Sequence, residues 1–265
     1  MGALRLDKYL ADAGLGSRGQ VKQLIRKGLV TVDGVCVRDP AYVLAESSPV
    51  SCQGQAVLGK AFVYILFFKP AGCVCAARDR YHKTIFDYIP QTRKRDLAPV
   101  GRLDLDTEGL LLVTNDGALT HRLLAPGRHV DKTYYAETTG RLGQAEVRAF
   151  AEGMDIGEGR RLDPAELLVL LNREDPAGSH REPVPSYDWE RESWRRQDHG
   201  SGQACAYVTI HEGKFHQIKR MFAMTGHELT YLKRLRMGPL VLDPALSPGD
   251  YRPLTEEEEA LVRSY

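Results

Sequence analysis

The chain has 265 residues and a mass of 29.6 kDa, with 43% hydrophobic and 27% charged residues, an ordinary soluble globular balance. Its longest apolar run, Ala61 to Phe68, is eight residues against the ~20 of a membrane helix, and Arg5, Asp7 and Lys8 interrupt any leader-like start, so a soluble cytoplasmic protein is expected. The five cysteines are odd in number and argue against a disulfide framework, and the Cys73–Cys75 pair lacks the spacing and partner pair of a structural zinc site.

The net charge of +1 hides a local bias: Met1 to Lys60 carry eight Lys or Arg against five Asp or Glu. Leu6, Leu10 and Ala13 repeat at helical spacing until Gly14-Leu15-Gly16 stops the helix. Ser17 then reads as the N-cap of a second helix, Arg18 to Lys27. Arg18, Lys22 and Arg26 share one face of it, and Val21, Leu24 and Ile25 face a core. Two β-rich runs around Asp33-Gly34, Leu29 to Val32 and Val35 to Val37, predict a hairpin. A charged stripe alone is more often a solvated face than a binding site. The order of elements adds to it. Arg5-Leu-Asp-Lys-Tyr-Leu10, Gly16-Ser17-Arg18 and Val30-Thr-Val-Asp-Gly34 together resemble the RNA-binding module of the ribosomal-protein-S-four type, over residues 4 to 50. The resemblance implies docking on folded RNA, with Arg18, Lys22 and Arg26 as the contacts.

Gly54 and Gly59 flank a polar stretch that reads as a linker, so the expected division is a module over 1–58 and a larger domain over 61–265. Phe62 to Phe68 predicts a buried strand, ended by a turn at Lys69-Pro70-Ala71-Gly72. Leu110 to Thr114 predicts another, followed by a turn at Asn115-Asp116-Gly117 and a helix from Ala118 to Ala125 that Pro126 stops. Just before that strand stand Asp104, Asp106 and Glu108. An oxygen-rich cluster suits magnesium or calcium, but the calcium-loop spacing is absent, and a surface turn of solvated acids fits as well. In an extended chain Asp104 and Asp106 would share a face.

Lys132-Thr133-Tyr134 reads as part of a half-buried strand, and Ala206 to Ile210 as a strand leading into Glu212-Gly-Lys-Phe-His-Gln-Ile-Lys-Arg-Met221. Residues 211 to 236 carry six Lys or Arg against Glu212 and Glu228, a second basic patch. His211-Glu212 is not a zinc-protease pair, because His216 follows five positions on rather than four. Residues 172 to 203 are polar and turn-rich, with Trp189 and Trp194 among Arg191, Arg195 and Arg196. Such an excursion is a disordered insert or an added contact surface suited to stacking on RNA. Thr255 predicts the cap of a last helix whose first turn is Glu256 to Glu259.

Gly101-Arg-Leu-Asp104-x-Asp106-Thr-x-Gly109-Leu110, followed by Thr114-Asn-Asp-Gly117, resembles the catalytic motif of pseudouridine synthases, and most closely the RsuA type that modifies ribosomal RNA. The resemblance implies an α+β fold: the small α/β module, then a catalytic domain on a mixed, mainly antiparallel sheet. It assigns the required carboxylate to Asp104, base stacking to Tyr134 in the Lys-x-Tyr motif, and pairing with Asp104 to Lys219. Arg102 would fill the vacated base position or hold a phosphate, and Lys214, His216, Gln217 and Arg220 would contact RNA. The reaction is an isomerisation, so neither cofactor nor metal is expected. Gly226, Met237-Gly-Pro-Leu-Val-Leu-Asp243 and Gly249-Asp-Tyr-Arg-Pro-Leu-Thr255 resemble the small-subunit subgroup. The expected partner is ribosomal RNA, naked or in an assembly intermediate, acted on by a monomer away from membranes. The rivals are the same chemistry on large-subunit RNA or tRNA, and a non-catalytic assembly factor that only binds RNA; the intact Asp104, Tyr134 and Lys219 argue against the latter.

Overall fold

Leu6, Leu10, Val21 and Ile25 are fully withdrawn from solvent, and two short helices form around the core they share. The computed structural model describes residues 4–45, 48–58, 62–89, 96–172 and 203–265, and the chain divides into two units, Met1–Phe62 and Val63–Tyr265. In the first, β1 (Leu4–Arg5) leads into α1 (Leu6–Asp12) and α2 (Arg18–Arg26). Ser17 caps α2: its Oγ accepts the Gln20 N–H at 3.4 Å while Gln20 Oε1 accepts the Ser17 N–H at 2.8 Å. β2 (Val30–Val32) and β3 (Val35–Cys36) close a hairpin through Asp33 and Gly34, at φ 50° and 79°, the pair of positive angles that such a two-residue turn demands. β4 (Val43–Leu44) pairs with β1, and β5 (Val50–Cys52) and β6 (Gln55–Val57) complete a four-stranded sheet ordered β3-β2-β5-β6.

Gly54 does not open a linker. With Gln53 it turns the β5–β6 hairpin, at φ 80° and 51°, because the core formed by Val30, Val50 and Cys52 carries the sheet on to Val57. Residues 59–61 lie outside the described residues.

The second unit begins with β7 (Tyr64–Lys69), later at both ends than the strand expected from Phe62. It ends on a lysine because that side chain finds its hydrogen bonds inside the fold. β8 (Cys73–Val74), β9 (Lys83–Thr84), β10 (Ala98–Pro99) and β11 (Glu108–Thr114) follow. α3 (Gly117–Leu124) starts one residue before the expected Ala118, since Asp116 is its cap and accepts the Leu119 N–H at 2.9 Å. Then come β12 (Lys132–Thr138), α4 (Gln144–Ala151), β13 (Glu166–Asn172), β14 (Ala204–Ile210), α5 (Gln217–Met224), β15 (Leu229–Met237), β16 (Leu240–Val241), β17 (Tyr251–Pro253) and α6 (Glu256–Ser264). Thr255 caps α6 as its sequence implies, accepting the Glu258 N–H at 3.2 Å.

The large sheet runs β13-β14-β12-β15-β11-β7-β17, with β10 beside β11 and β16 beside β15. Every pair in it is antiparallel except β11–β15, so the class is α+β with a mixed, mainly antiparallel sheet. The period of two along β12 sorts its side chains. Tyr135 joins Leu119 and Leu123 of α3 and Val262 of α6 on one face, while Tyr134 and Ala136 join Phe150 of α4 and Met221 and Phe222 of α5 on the other.

Of the polar stretch 172–203, all but Asn172 and Gln203 lies outside the described residues. Asn172 accepts the Leu142 N–H and donates to the Leu142 carbonyl, at 2.9 and 3.0 Å. No helix among the described residues is long and apolar enough to cross a membrane.

Candidate active site

The segment from Gly101 to Thr107 reaches β11 through a turn, and two side chains from earlier in the chain tie it down. Lys69 Nζ, fully buried, donates to the carbonyls of Pro70, Leu105 and Thr107 at 2.9, 3.4 and 2.8 Å. Cys75 Sγ accepts the Leu103 N–H at 3.3 Å and stands 3.5 Å from the Leu103 carbonyl as donor. The Thr107 N–H closes the turn onto the Asp104 carbonyl at 3.2 Å. Asp104 and Asp106 are therefore not in extended chain, and the shared strand face expected of them does not form.

They converge nonetheless, on Lys219 of α5. Lys219 Nζ donates to both Asp106 oxygens at 2.6 and 2.7 Å and stands 3.7 Å from Asp104 Oδ2. The expected Lys219–Asp104 pair is thus a shared one, with the shorter bonds going to Asp106. The turn is the reason: it carries the Asp106 carboxylate outward over the lysine. Burial alone would raise the Asp106 carboxyl, but the Lys219 hydrogen bond and charge outweigh it and hold it below its ordinary value. His216 Nε2 lies 3.6 Å from Asp104 Oδ1, so Asp104 faces two groups able to carry positive charge. The ammonium between the two carboxylates takes the place that the metal-cluster reading gave to a divalent ion. Among the described residues no group of His, Cys, Asp and Glu is arranged to hold one.

His216 precedes α5 in the left-handed region, at φ 52°. Its ring lies flat on that of Phe215, centroids 3.9 Å apart and planes 17° off parallel, although Phe215 is 73% exposed. These residues border a cavity of about 580 Å³ whose wall includes Asp104, Thr107, Lys132, Tyr134, Lys219 and Arg234. Tyr134 on β12 is buried and lies directly opposite Arg234 on β15. Lys132 Nζ donates to the Val130 carbonyl at 2.8 Å. Burial, with the nearby Arg234 charge adding to it, pushes the Lys132 amine down to about 8. Arg234 Nε donates to the Leu110 carbonyl at 2.8 Å, whereas its Nη2 and the Thr107 Oγ1 are buried without a hydrogen-bond partner among the described residues. Gly109, paired with Arg234 across the parallel strands, must be glycine: its φ is 104°, and a Cβ there would lie 2.2 Å from the Arg234 carbonyl oxygen.

The RNA contacts expected from sequence fare unequally. Arg102 and Lys214 are exposed at the cavity, and His216 reaches Asp104. Gln217 is buried, its Oε1 accepting the Lys214 N–H at 2.9 Å and its Nε2 directed at Glu212, so it braces the turn before α5. Arg220 turns to Glu158, at 2.6 Å, and to the Ile156 carbonyl, so its donors serve that loop instead of the cavity. In the first unit Arg18 and Arg26 are exposed, and Lys22 lies 3.8 Å from Asp7. Lys69, Cys75, Thr107, Phe215 and Arg234 escaped the sequence reading. Only Lys69 left a signal there, a charge closing an apolar run.

The family model described as RNA pseudouridylate synthase matches residues 63–224, and the S4 domain model matches residues 4–50. The chain is 39% identical to ribosomal small subunit pseudouridine synthase A of Pseudomonas aeruginosa, over 96% of this chain and 98% of that protein. It is 34% identical to the protein of the same name from Escherichia coli, over 98% and 100%. An uncharacterized RNA pseudouridine synthase of Bacillus subtilis is 38% identical, with 98% of each chain covered. A crystal structure of a pseudouridylate synthase superposes with a TM-score of 0.63 at 30% identity, covering 98% of this chain and 100% of that one.

Proposed function

This chain belongs to the RNA pseudouridylate synthase family, and from that premise we propose that it converts one uridine of small-subunit ribosomal RNA to pseudouridine, with Asp104 as the reacting carboxylate. The observation that carries the reading is the setting of Asp104: on the wall of a cavity open to solvent and shared with Tyr134, within 4 Å of both Lys219 and His216. Near-full-length similarity to proteins named as small-subunit enzymes supports the substrate.

Pseudouridine formation breaks the bond from ribose C1′ to uracil N1, turns the ring, and rejoins it to C1′ through C5. Atoms are conserved, so the chemistry calls for no co-reactant. The uracil must first leave its stack, at a cost of a few kcal/mol. The Tyr134 ring offers the flipped base a face, and such stacking is worth about 1–3 kcal/mol. Asp104 acts as a carboxylate, either attacking C1′ or taking a proton from the adjacent carbon, and Lys219 and His216 stand against its two oxygens. Arg102 and Lys214, exposed at the cavity, suit the flanking phosphates. Arg18, Lys22 and Arg26 serve the same RNA from the S4 domain.

The test is pseudouridine mapping on unmodified small-subunit RNA, naked and in assembly particles, with wild type and Asp104→Ala side by side. One new site with wild type and none with the variant is expected. Conversion surviving in Asp104→Ala would overturn the residue, and conversion of large-subunit RNA or tRNA alone would overturn the substrate.

A further inference from the structure

Two cations are buried in the wall of the Asp104 cavity, and among the described residues neither has a carboxylate within ion-pair distance. Arg234 is 2% exposed and Lys132 8%. Each makes one hydrogen bond to a carbonyl, Leu110 and Val130 respectively. Asp131, the acid that acts on Lys132, is itself bonded to His211 at 2.8 Å. Buried charges are ordinarily paired, because an uncompensated one costs several kcal/mol. Here two of like sign lie close enough for Arg234 to help lower the Lys132 amine. Among the described residues Arg234 Nη2 and the Thr107 hydroxyl, both of residues in this wall, also find no hydrogen-bond partner. A wall built this way is matched to negative charge that arrives with the substrate or develops on it.

The register decides which charge. Tyr134 lies directly across from Arg234, and Lys132 precedes Tyr134 by two positions on the same face of β12. A base stacked on Tyr134 therefore has both cations beside it. A phosphate does not fit so well, since the RNA backbone stays at the mouth while the base is the part that goes deepest. Bound uracil is neutral. When the C1′–N1 bond breaks, its electron pair stays on the ring and spreads over N1, O2 and O4, whether Asp104 attacks C1′ or takes a proton from the adjacent carbon. The charge persists until C5 bonds to C1′, which releases the Asp104 carboxylate in the first case and draws the proton back from it to the adjacent carbon in the second; the C5 proton then passes to solvent and N1 gains one from solvent. We propose that Lys132 and Arg234 stabilise the uracil anion released in this reaction. The proposal rests on the function inferred above.

Single-turnover rates and RNA affinities of the full chain test it, on target RNA carrying either uridine or 5-fluorouridine at the modified position, with loss of the original nucleoside as the readout. Fluorine stabilises the anion itself and makes the cations less needed. Arg234→Gln and Lys132→Met are expected to slow uridine RNA by about 100-fold, the scale of losing one preorganised donor. The 5-fluorouridine RNA should slow distinctly less, with affinity changed by less than about threefold. Equal slowing of both RNAs would overturn the proposal. An affinity loss as large as the rate loss would overturn it too, assigning the cations to a phosphate. Arg234→Lys and Lys132→Arg, which keep the charge, guard against misfolding: thermal midpoints near wild type with most of the rate regained are expected, and a rate still lost in folded charge-keeping variants would count against the proposal. If Asp104→Ala remains active, the underlying function fails; an inactive Asp104→Ala with no fluorine effect in the cation variants sinks this proposal alone.

Discussion

Lys219 is divided between two carboxylates, at 2.6 Å from Asp106 and 3.7 Å from Asp104. If its task is to keep Asp104 ionised and in place, removing it harms the chemical step and spares RNA binding, which draws on the exposed cations. Lys219→Met is expected to lower the single-turnover rate by about 100-fold or more while affinity stays within about threefold. A fall in affinity as steep as the fall in rate would refute the pairing role. Asp106→Asn frees the lysine to close on Asp104, so its rate should suffer far less. The same pair gives a pH signature. Asp106 titrates below its ordinary value in the fold, so the unfolded chain binds the extra proton first as pH falls. Its stabilisation is complete above the ordinary carboxylate range and is lost as pH drops through the lowered value. Wild type should therefore lose its thermal-midpoint advantage over Asp106→Asn between neutral and acid pH, modestly, because the Asp106 side chain is 68% exposed. A gap that widened toward acid would contradict the assignment.

At the scale of the element, the Asp104 turn is held by ties that span the chain: Lys69 reaches the Thr107 carbonyl across 38 positions, and Cys75 grips Leu103 across 28. Cys75→Ser keeps a donor and an acceptor at that position, whereas Cys75→Ala leaves both Leu103 groups unmet. The alanine variant should lose kcat with KM little changed, and serine should restore most of it; parallel losses would mean that only packing matters. Lys69→Met orphans the carbonyls that its amine serves and should destabilise the fold by about 1–3 kcal/mol in denaturant unfolding. Gly109→Ala should cost more than about 2 kcal/mol, since its Cβ meets the Arg234 backbone at 2.2 Å and the residue sits at positive φ. These ties also mark where sequence reading runs out. The Ser17 and Thr255 caps and the Asp33-Gly34 hairpin were legible because their partners lie only a few positions away, whereas Asp116 was read as a turn residue and not as the cap of α3. That Asp104, Tyr134 and Lys219 would come together was an expectation from resemblance to family motifs, and all three line one cavity. Cys75 and Arg234 were not legible, because each matters through a neighbour that only the sheet supplies. The partners of Gln217 and Arg220 were hidden for the same reason: their side-chain chemistry suits RNA, and only the fold shows that Glu212 and Glu158 engage them within the chain. Composition and spacing could not separate Asp104 from Asp106, and only the turn shows that Asp106 takes the shorter bonds from Lys219.

For the whole molecule, the division of charge bears on how RNA is held. A net of +1 gives the chain no bulk attraction for a polyanion, so affinity has to come from local surfaces, and the first sixty residues hold an excess of three positive charges. Within that unit the basic stripe of α2 is not uniform. Asp7, 5% exposed, takes a bidentate hydrogen bond from Arg5 and has Lys22 at 3.8 Å, while Arg18 and Arg26 make no such pair among the described residues. A lysine already facing a carboxylate gains less from a phosphate and releases fewer counterions when it binds one. Salt dependence reads this difference directly, because each phosphate contact contributes about 0.7–0.9 to the slope of log affinity against log salt. Arg18→Gln and Arg26→Gln in the full chain should each flatten the slope by about that amount, and Lys22→Gln by less. Single-turnover rates at saturating enzyme should not change, since Asp104 and its partners belong to the other unit. Equal slopes for all three variants would show that Asp7 does not compete with RNA for Lys22. A wild-type slope in Arg18→Gln and Arg26→Gln would mean that the stripe, despite its S4 setting, is only a solvated face, and that the basic surface bordering the Asp104 cavity carries the RNA alone.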